Sequence, residues 1–189
     1  GRTLEQHCSI PETLALIDEG AWDVVVLQGH SMEAAQSEAN PATRKSFLDS
    51  GKKLCGLIRE GSPKARIIFY QTWARHADFW KANGGGNSVG SNPQQMMERI
   101  KKWYQQQADD NQASVAPVGE AWQLFYQKSP KLSLHDPDHS HPNFSGSYLA
   151  GLIFYAKIYQ TELPVIEYCG NLTKEQATSL REVAVEVLK

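Results

Sequence analysis

Apolar positions along the chain follow two periods. Continuous apolar runs rich in β-branched residues at 22–27 (WDVVVL) and 65–70 (ARIIFY) predict strands buried on both faces. Residues 114–118 (SVAPV) predict a third, shorter strand. Between the runs the period becomes helical. Phe47, Gly51, Leu54, Cys55 and Ile58 form one stripe, and Met97, Ile100 and Tyr104 form a second. Leu149, Leu152, Ile153 and Ala156 form a third; Leu180, Val183, Ala184 and Val187 form a fourth. Residues 119–126 also read as helical.

The punctuation agrees with these periods. Asn40-Pro41 and Asn92-Pro93 each set a capping side chain before a proline suited to a first turn, and Gly61 closes the first of these helices. Ser9-x-x-Glu12 and Thr173-x-x-Gln176 fit capping boxes, and the former predicts a short helix that Gly20 ends. Residues 71–92, with Gly84-Gly85-Gly86, read as one long loop, a length usually found where a loop is functional or mobile. Strands alternating with helices imply an α/β fold, a parallel sheet covered on both faces. Ligands then sit beyond the carboxyl ends of the strands. Those ends are Gln28-Gly29-His30-Ser31, Gln71-Thr72-Trp73 and the stretch after Val118.

Composition narrows the function classes. A length of 189 residues favours one domain over 1–189. With 19 Lys+Arg against 21 Asp+Glu, the chain lacks the basic excess of a nucleic-acid binder. No apolar run approaches the ~20 residues that span a bilayer. Residues 148–158 come nearest, and they contain Lys157. The three cysteines, Cys8, Cys55 and Cys169, form no CxxC pair, so they read as buried or idle thiols, with one disulfide left open.

Candidate chemistry concentrates at 134–151 (LHDPDHSHPNFSGSYLAG). Asp138 precedes His141 by three residues, a spacing that lets a carboxylate orient an imidazole for general-base work. The competing reading is a polar surface loop ahead of a capped helix. His135, Asp136, Asp138, His139 and His141 together raise the question of metal, but their spacing matches no standard pair such as HExxH, so no metal or cofactor is expected. Gly29-His30-Ser31 after a strand offers a different nucleophile, Ser31, on a G-x-S-x-G elbow of the α/β-hydrolase kind, with Glu33 where that turn wants glycine. Trp73, Phe79 and Trp80 either stack on a sugar or acyl group or anchor the long loop. His30 stands on the same expected substrate side.

Four stretches together resemble a bacterial branch of the SGNH/GDSL esterase superfamily: WDVVVLQ ending at Gln28, FYQTWA at 69–74, VAPVGEAW at 115–122, and DxxHPNxxGxYLAG from Asp138 to Gly151. Gly1-Arg2-Thr3-Leu4 with His7 resembles that family's second block. The resemblance covers nearly the whole chain. It implies a flavodoxin-like three-layer α/β/α domain with strand order 2-1-3-4-5. It also implies a serine nucleophile, His141 as its base, Asp138 orienting His141, and Gly1 and Gln28 in the oxyanion hole. The first block, a strand followed by a Gly-x-Ser turn, is not in this sequence. The expectation is therefore that the nucleophile and the first two strands are missing from the chain, leaving the strand at 22–27 with an open edge. The implied partner is a small-molecule ester, such as an acylated sugar. The resemblance leans toward an exported protein. The alternative is a non-catalytic carbohydrate-binding or interaction module on the same scaffold.

Overall fold

Two Asn-Pro pairs start the two longest helices, and these helices set the frame of the molecule. The computed structural model describes residues 1–82, 88–128 and 131–189. In chain order it runs α1 (Leu4–His7), α2 (Pro11–Glu19), β1 (Val24–Leu27), α3 (Glu33–Gln36), α4 (Pro41–Gly61) and β2 (Arg66–Tyr70). It continues with α5 (Ala77–Ala82), α6 (Pro93–Asp110), β3 (Ser114–Ala116), α7 (Val118–Lys128), α8 (Phe144–Tyr159) and α9 (Lys174–Val187). Asn40 Oδ1 accepts the N–H groups of Ala42 and Thr43, and Asn92 Oδ1 accepts that of Gln95. Each cap satisfies donors that the helix itself cannot.

The strands form a parallel sheet in the order β1-β2-β3, with Val25 opposite Ile67 and Phe69 opposite Val115. Alternation along β2 builds two cores. Ile67 and Phe69 enter one core with Phe47, Leu54, Met97 and Ile100 from α4 and α6. Ile68 enters the other, with Trp122, Phe125, Leu149, Ile153 and Leu180 from α7, α8 and α9. This is the period-2 logic of a central strand. The result is three layers, α/β/α.

Several local expectations change. The Ser9-x-x-Glu12 capping box does not form. Ile10 is the N-cap of α2 and makes no side-chain cap bond, while Ser9 Oγ donates back to the carbonyl of Gln6. The box that forms is one step earlier, Thr3 with Gln6, at α1. The strand at 22–27 is not buried on both faces, because β1 ends the described sheet and Val26 is 40% exposed. An apolar groove of about 330 Å³ runs along it, walled by Leu16, Val24, Val26 and Leu54 among others. The 71–92 loop carries α5, and its Gly84-Gly85-Gly86 lies outside the described residues. Residue 118, read as strand, opens α7. All three cysteines are free thiols. No helix among the described residues is long and apolar enough to cross a membrane.

Candidate active site

The 134–143 loop is closed on itself before it delivers a side chain to solvent. His135 bridges Pro142 in antiparallel fashion. Asn143 N donates to the Leu134 carbonyl at 2.9 Å, and Asp136 N donates to that of His141 at 2.9 Å. Asn143 then does two jobs. Its amide donates to the carbonyls of Ser133 (2.8 Å) and His135 (3.2 Å), and its Oδ1 caps α8 by accepting from Gly146 N. Gly146 is required by space: a Cβ there would lie 2.3 Å from Trp122 and 2.4 Å from the Leu134 carbonyl. The polar motif is thus also a packing motif.

Within this frame Asp138 grips the segment after it. One carboxylate oxygen accepts the N–H groups of Ser140 and His141, each at 2.9 Å. The other faces His141 Nδ1 at 2.5 Å. The His141 side-chain bond, followed by the two backbone donors, holds the Asp138 carboxyl far below the usual range. The side chains of His141 and Asp138 are 75% and 47% exposed. A pair that open to water adds little to stability. What it does is fix the ring, leaving Nε2 turned away from the carboxylate.

Two residues at the carboxyl end of β2 hold this loop from beneath. Trp73 Nε1 donates to the Ser140 carbonyl at 3.0 Å, and its indole lies flat on Trp122, with centroids 4.3 Å apart at 12°. Arg75, which is buried, donates to the same carbonyl at 3.3 Å and to Ser31 Oγ at 2.9 Å. Arg75 therefore ties the end of β1 to the loop of His141. In the sequence, Arg75 is marked only by its place two residues beyond Trp73 at a strand end.

The other expected residues scatter. Gly1 packs against His30, where a Cβ would stand 3.1 Å from the ring. His30 Nδ1 accepts from Met32 N, and burial, with the N-terminal amine and Arg75, lowers its pKa. Gln28 is exposed and joins the wall of the β1 groove. Ser31 is held by Arg75, and it does not take the left-handed backbone of a strained elbow. The described non-glycine residues with positive φ are Ala21, Gln112, His139 and Gln160. Glu33, two residues on, is buried, and Oε2 accepts the Leu4 N–H at 3.2 Å. Burial pushes this carboxyl up to about 7. Trp80 is buried and donates to the Gly90 carbonyl at 2.9 Å. Phe79 packs edge-on against Trp80.

His135 is structural. Its Nε2 faces the Ala74 carbonyl at 3.0 Å and its Nδ1 the Tyr126 hydroxyl at 2.7 Å. These bonds suit the neutral tautomer with the proton on Nε2, and burial lowers its pKa to about 4. It lines a cavity of about 500 Å³ with Arg75, His76, Trp122 and Tyr126, but neither His141 nor Asp138 reaches that wall.

No protein-family model matches the chain, and no curated protein does. Solved structures do. A DUF4886 family protein from Bacteroides uniformis is 17% identical, with a TM-score of 0.73 over 93% of this chain. The chain spans 65% of that protein's length. A candidate SGNH hydrolase from Slackia heliotrinireducens is 25% identical, with a TM-score of 0.66 over 84% of this chain and 80% of its own. The chain has an SGNH-like α/β/α fold, and the likeness to the second protein supports a hydrolase family at most.

Proposed function

We propose that this chain carries the acid/base half of an SGNH-type ester hydrolase. The observation that carries the reading is the exposed Asp138–His141 pair at 2.5 Å on a loop braced by Trp73 and Arg75. In this reading His141 Nε2 takes the proton of a serine hydroxyl as that oxygen attacks an ester carbonyl. It then returns the proton to the departing alcohol, leaving an acyl-enzyme that water opens by the same route. Asp138 fixes the tautomer and stabilises the imidazolium. Donors such as the Gly1 and Gln28 groups beside β1 would meet the oxyanion. No cofactor takes part.

No serine hydroxyl among the described residues is hydrogen-bonded to His141, so the reading takes its nucleophile from outside these residues. The uncovered apolar edge of β1 supports this, since proteins normally cover such an edge. The substrate class is a small ester, with acylated carbohydrate as the leading case. A sugar-binding module without catalysis is less well supported, because Trp73 and Trp80 are buried in packing rather than offered as platforms. Ser31 as nucleophile is disfavoured by its bond to Arg75.

The test is hydrolysis of p-nitrophenyl acetate and acetylated xylan by the natural full-length gene product. His141→Ala should lower kcat/KM by about a thousandfold or more, and Asp138→Asn by about 10⁴ at most. Undiminished activity in His141→Ala overturns the mechanism. A fluorophosphonate label mapped to Ser31 would replace it with the elbow reading.

A further inference from the structure

We infer that His76, Asp78 and His139 form a binding site for a divalent transition metal, zinc by its ligand chemistry. His76 and Asp78 come from the segment entering α5, and His139 comes from the loop that carries His141. One ligand atom from each, an imidazole nitrogen or a carboxylate oxygen, lies within 4.8 Å of the other two. His76 Nδ1 and Asp78 Oδ2 are 3.3 Å apart. Two ligands at roughly 2.0–2.2 Å from a tetrahedral zinc are separated by about 3.4 Å, so this edge is already at ligand spacing. The His139 ring stacks on that of His76, with centroids 5.4 Å apart at 21°.

Other observations aim these groups at a cation. His76 Nδ1 accepts the Asp78 backbone N–H at 3.3 Å, so it is the nitrogen with the lone pair, and a metal bound there would replace this long bond. Lys81 bonds Asp78 through Oδ1 at 2.6 Å and leaves Oδ2 to the site. His139 takes the left-handed backbone at φ 61°, uncommon for a residue with a side chain. His76 N donates to the His139 carbonyl at 3.0 Å, joining the two segments at this point. His135, 5.5 Å from His76 between ring centroids, is not a ligand, because both its nitrogens are engaged.

Two histidines and a carboxylate leave the fourth tetrahedral position open to water or ligand. The site stands directly next to Asp138 in sequence, so an ion there would pin the loop of His141. The inference does not rest on the proposed esterase activity, and its test does not use that activity.

The experiment is titration of the purified chain with Co²⁺, followed by ligand-field absorption, then displacement by Zn²⁺. The expected result is saturation at one metal per chain with the spectrum of a four-coordinate ion. His139→Asn, which suits the left-handed backbone, and Asp78→Asn should each weaken binding about tenfold or more. His141→Ala should leave it unchanged. Thermal melts establish that each variant is folded, and Asp78→Asn alone suffices if His139→Asn is not. No saturation below about millimolar metal, binding indifferent to Asp78→Asn in a folded protein, or binding lost in His141→Ala would each overturn the assignment.

Discussion

The indole N–H of Trp73 donates to the backbone carbonyl of Ser140, 3.0 Å away, one residue before His141. Trp73 leaves the sheet at the end of β2, and Ser140 sits in a loop 67 residues later. The bond converts a strand end into a support for the imidazole. Because the indole also stacks on Trp122, its position is fixed by the second core and not by the loop.

Trp73→Phe keeps an aromatic ring in the stack and removes the donor. Ser140 still accepts from Arg75, so no carbonyl is orphaned. The expected cost is about 2 kcal/mol, about half from the hydrogen bond and the rest from lost ring contact. Urea unfolding checks it: the midpoint should fall with little change in slope. A midpoint equal to the parent would mean that the loop is held without Trp73.

Gly146→Ala should be far more damaging than its single methyl suggests. The new carbon would meet the Trp122 ring and the Leu134 carbonyl at contacts no real Cβ makes, and one of them is backbone. Neither neighbour has room to yield, since Trp122 and Leu134 are fully buried. A loss of about 3 kcal/mol or more is expected, at the upper end of overpacking effects. Thermal or urea melts give the number, and a loss under ~1 kcal/mol would refute this packing account.

Two buried groups should give stability opposite pH slopes over nearly the same range, so that in the parent they largely cancel between about 4.5 and 6.5. Glu33 has its carboxyl raised to about 7 by burial. The native state therefore holds a proton that the unfolded chain releases, and stability falls as pH rises from the ordinary glutamate range through about 7. His135 has its pKa lowered to about 4. The unfolded chain takes up a proton there first, so stability falls as pH drops from the ordinary histidine range toward about 4. Each slope is at most about 1.4 kcal/mol per pH unit. Glu33→Gln keeps an acceptor for the Leu4 N–H and should remove the falling limb, uncovering a stability that rises with pH from about 4 to 6.5. Urea midpoints from pH 4 to 8 decide it, and a Gln variant whose profile matches the parent's would remove Glu33 as a cause.

Periodicity and caps were legible from residues alone because they are local. Asn40, Asn92, Asn143 and Thr173 cap helices that need no distant partner, and the β-branched runs became β1 and β2. Asp138 and His141 were legible for the same reason, since a three-residue spacing places both in one turn of loop. Ser9-x-x-Glu12 failed because the Ser9 hydroxyl donates back to the Gln6 carbonyl at the end of α1, which leaves Ile10 as the N-cap of α2. The solvent face of β1 was not legible either. The residues WDVVVL state a liking for burial, but the neighbours on the sheet decide whether Val26 gets it.

What the chain determined by itself was the alternation of strands and helices, the parallel α/β class and the acid/base pair. Only the tertiary structure decided how Arg75 links Ser31 to Ser140, that Trp73 and Trp80 are supports, that Glu33 is buried, and that His76 and Asp78 meet His139. The physical reason is range. Hydrogen-bonded turns and hydrophobic periods act over a few residues, whereas these contacts join segments tens of residues apart, and packing the two cores on one sheet is what brings them together.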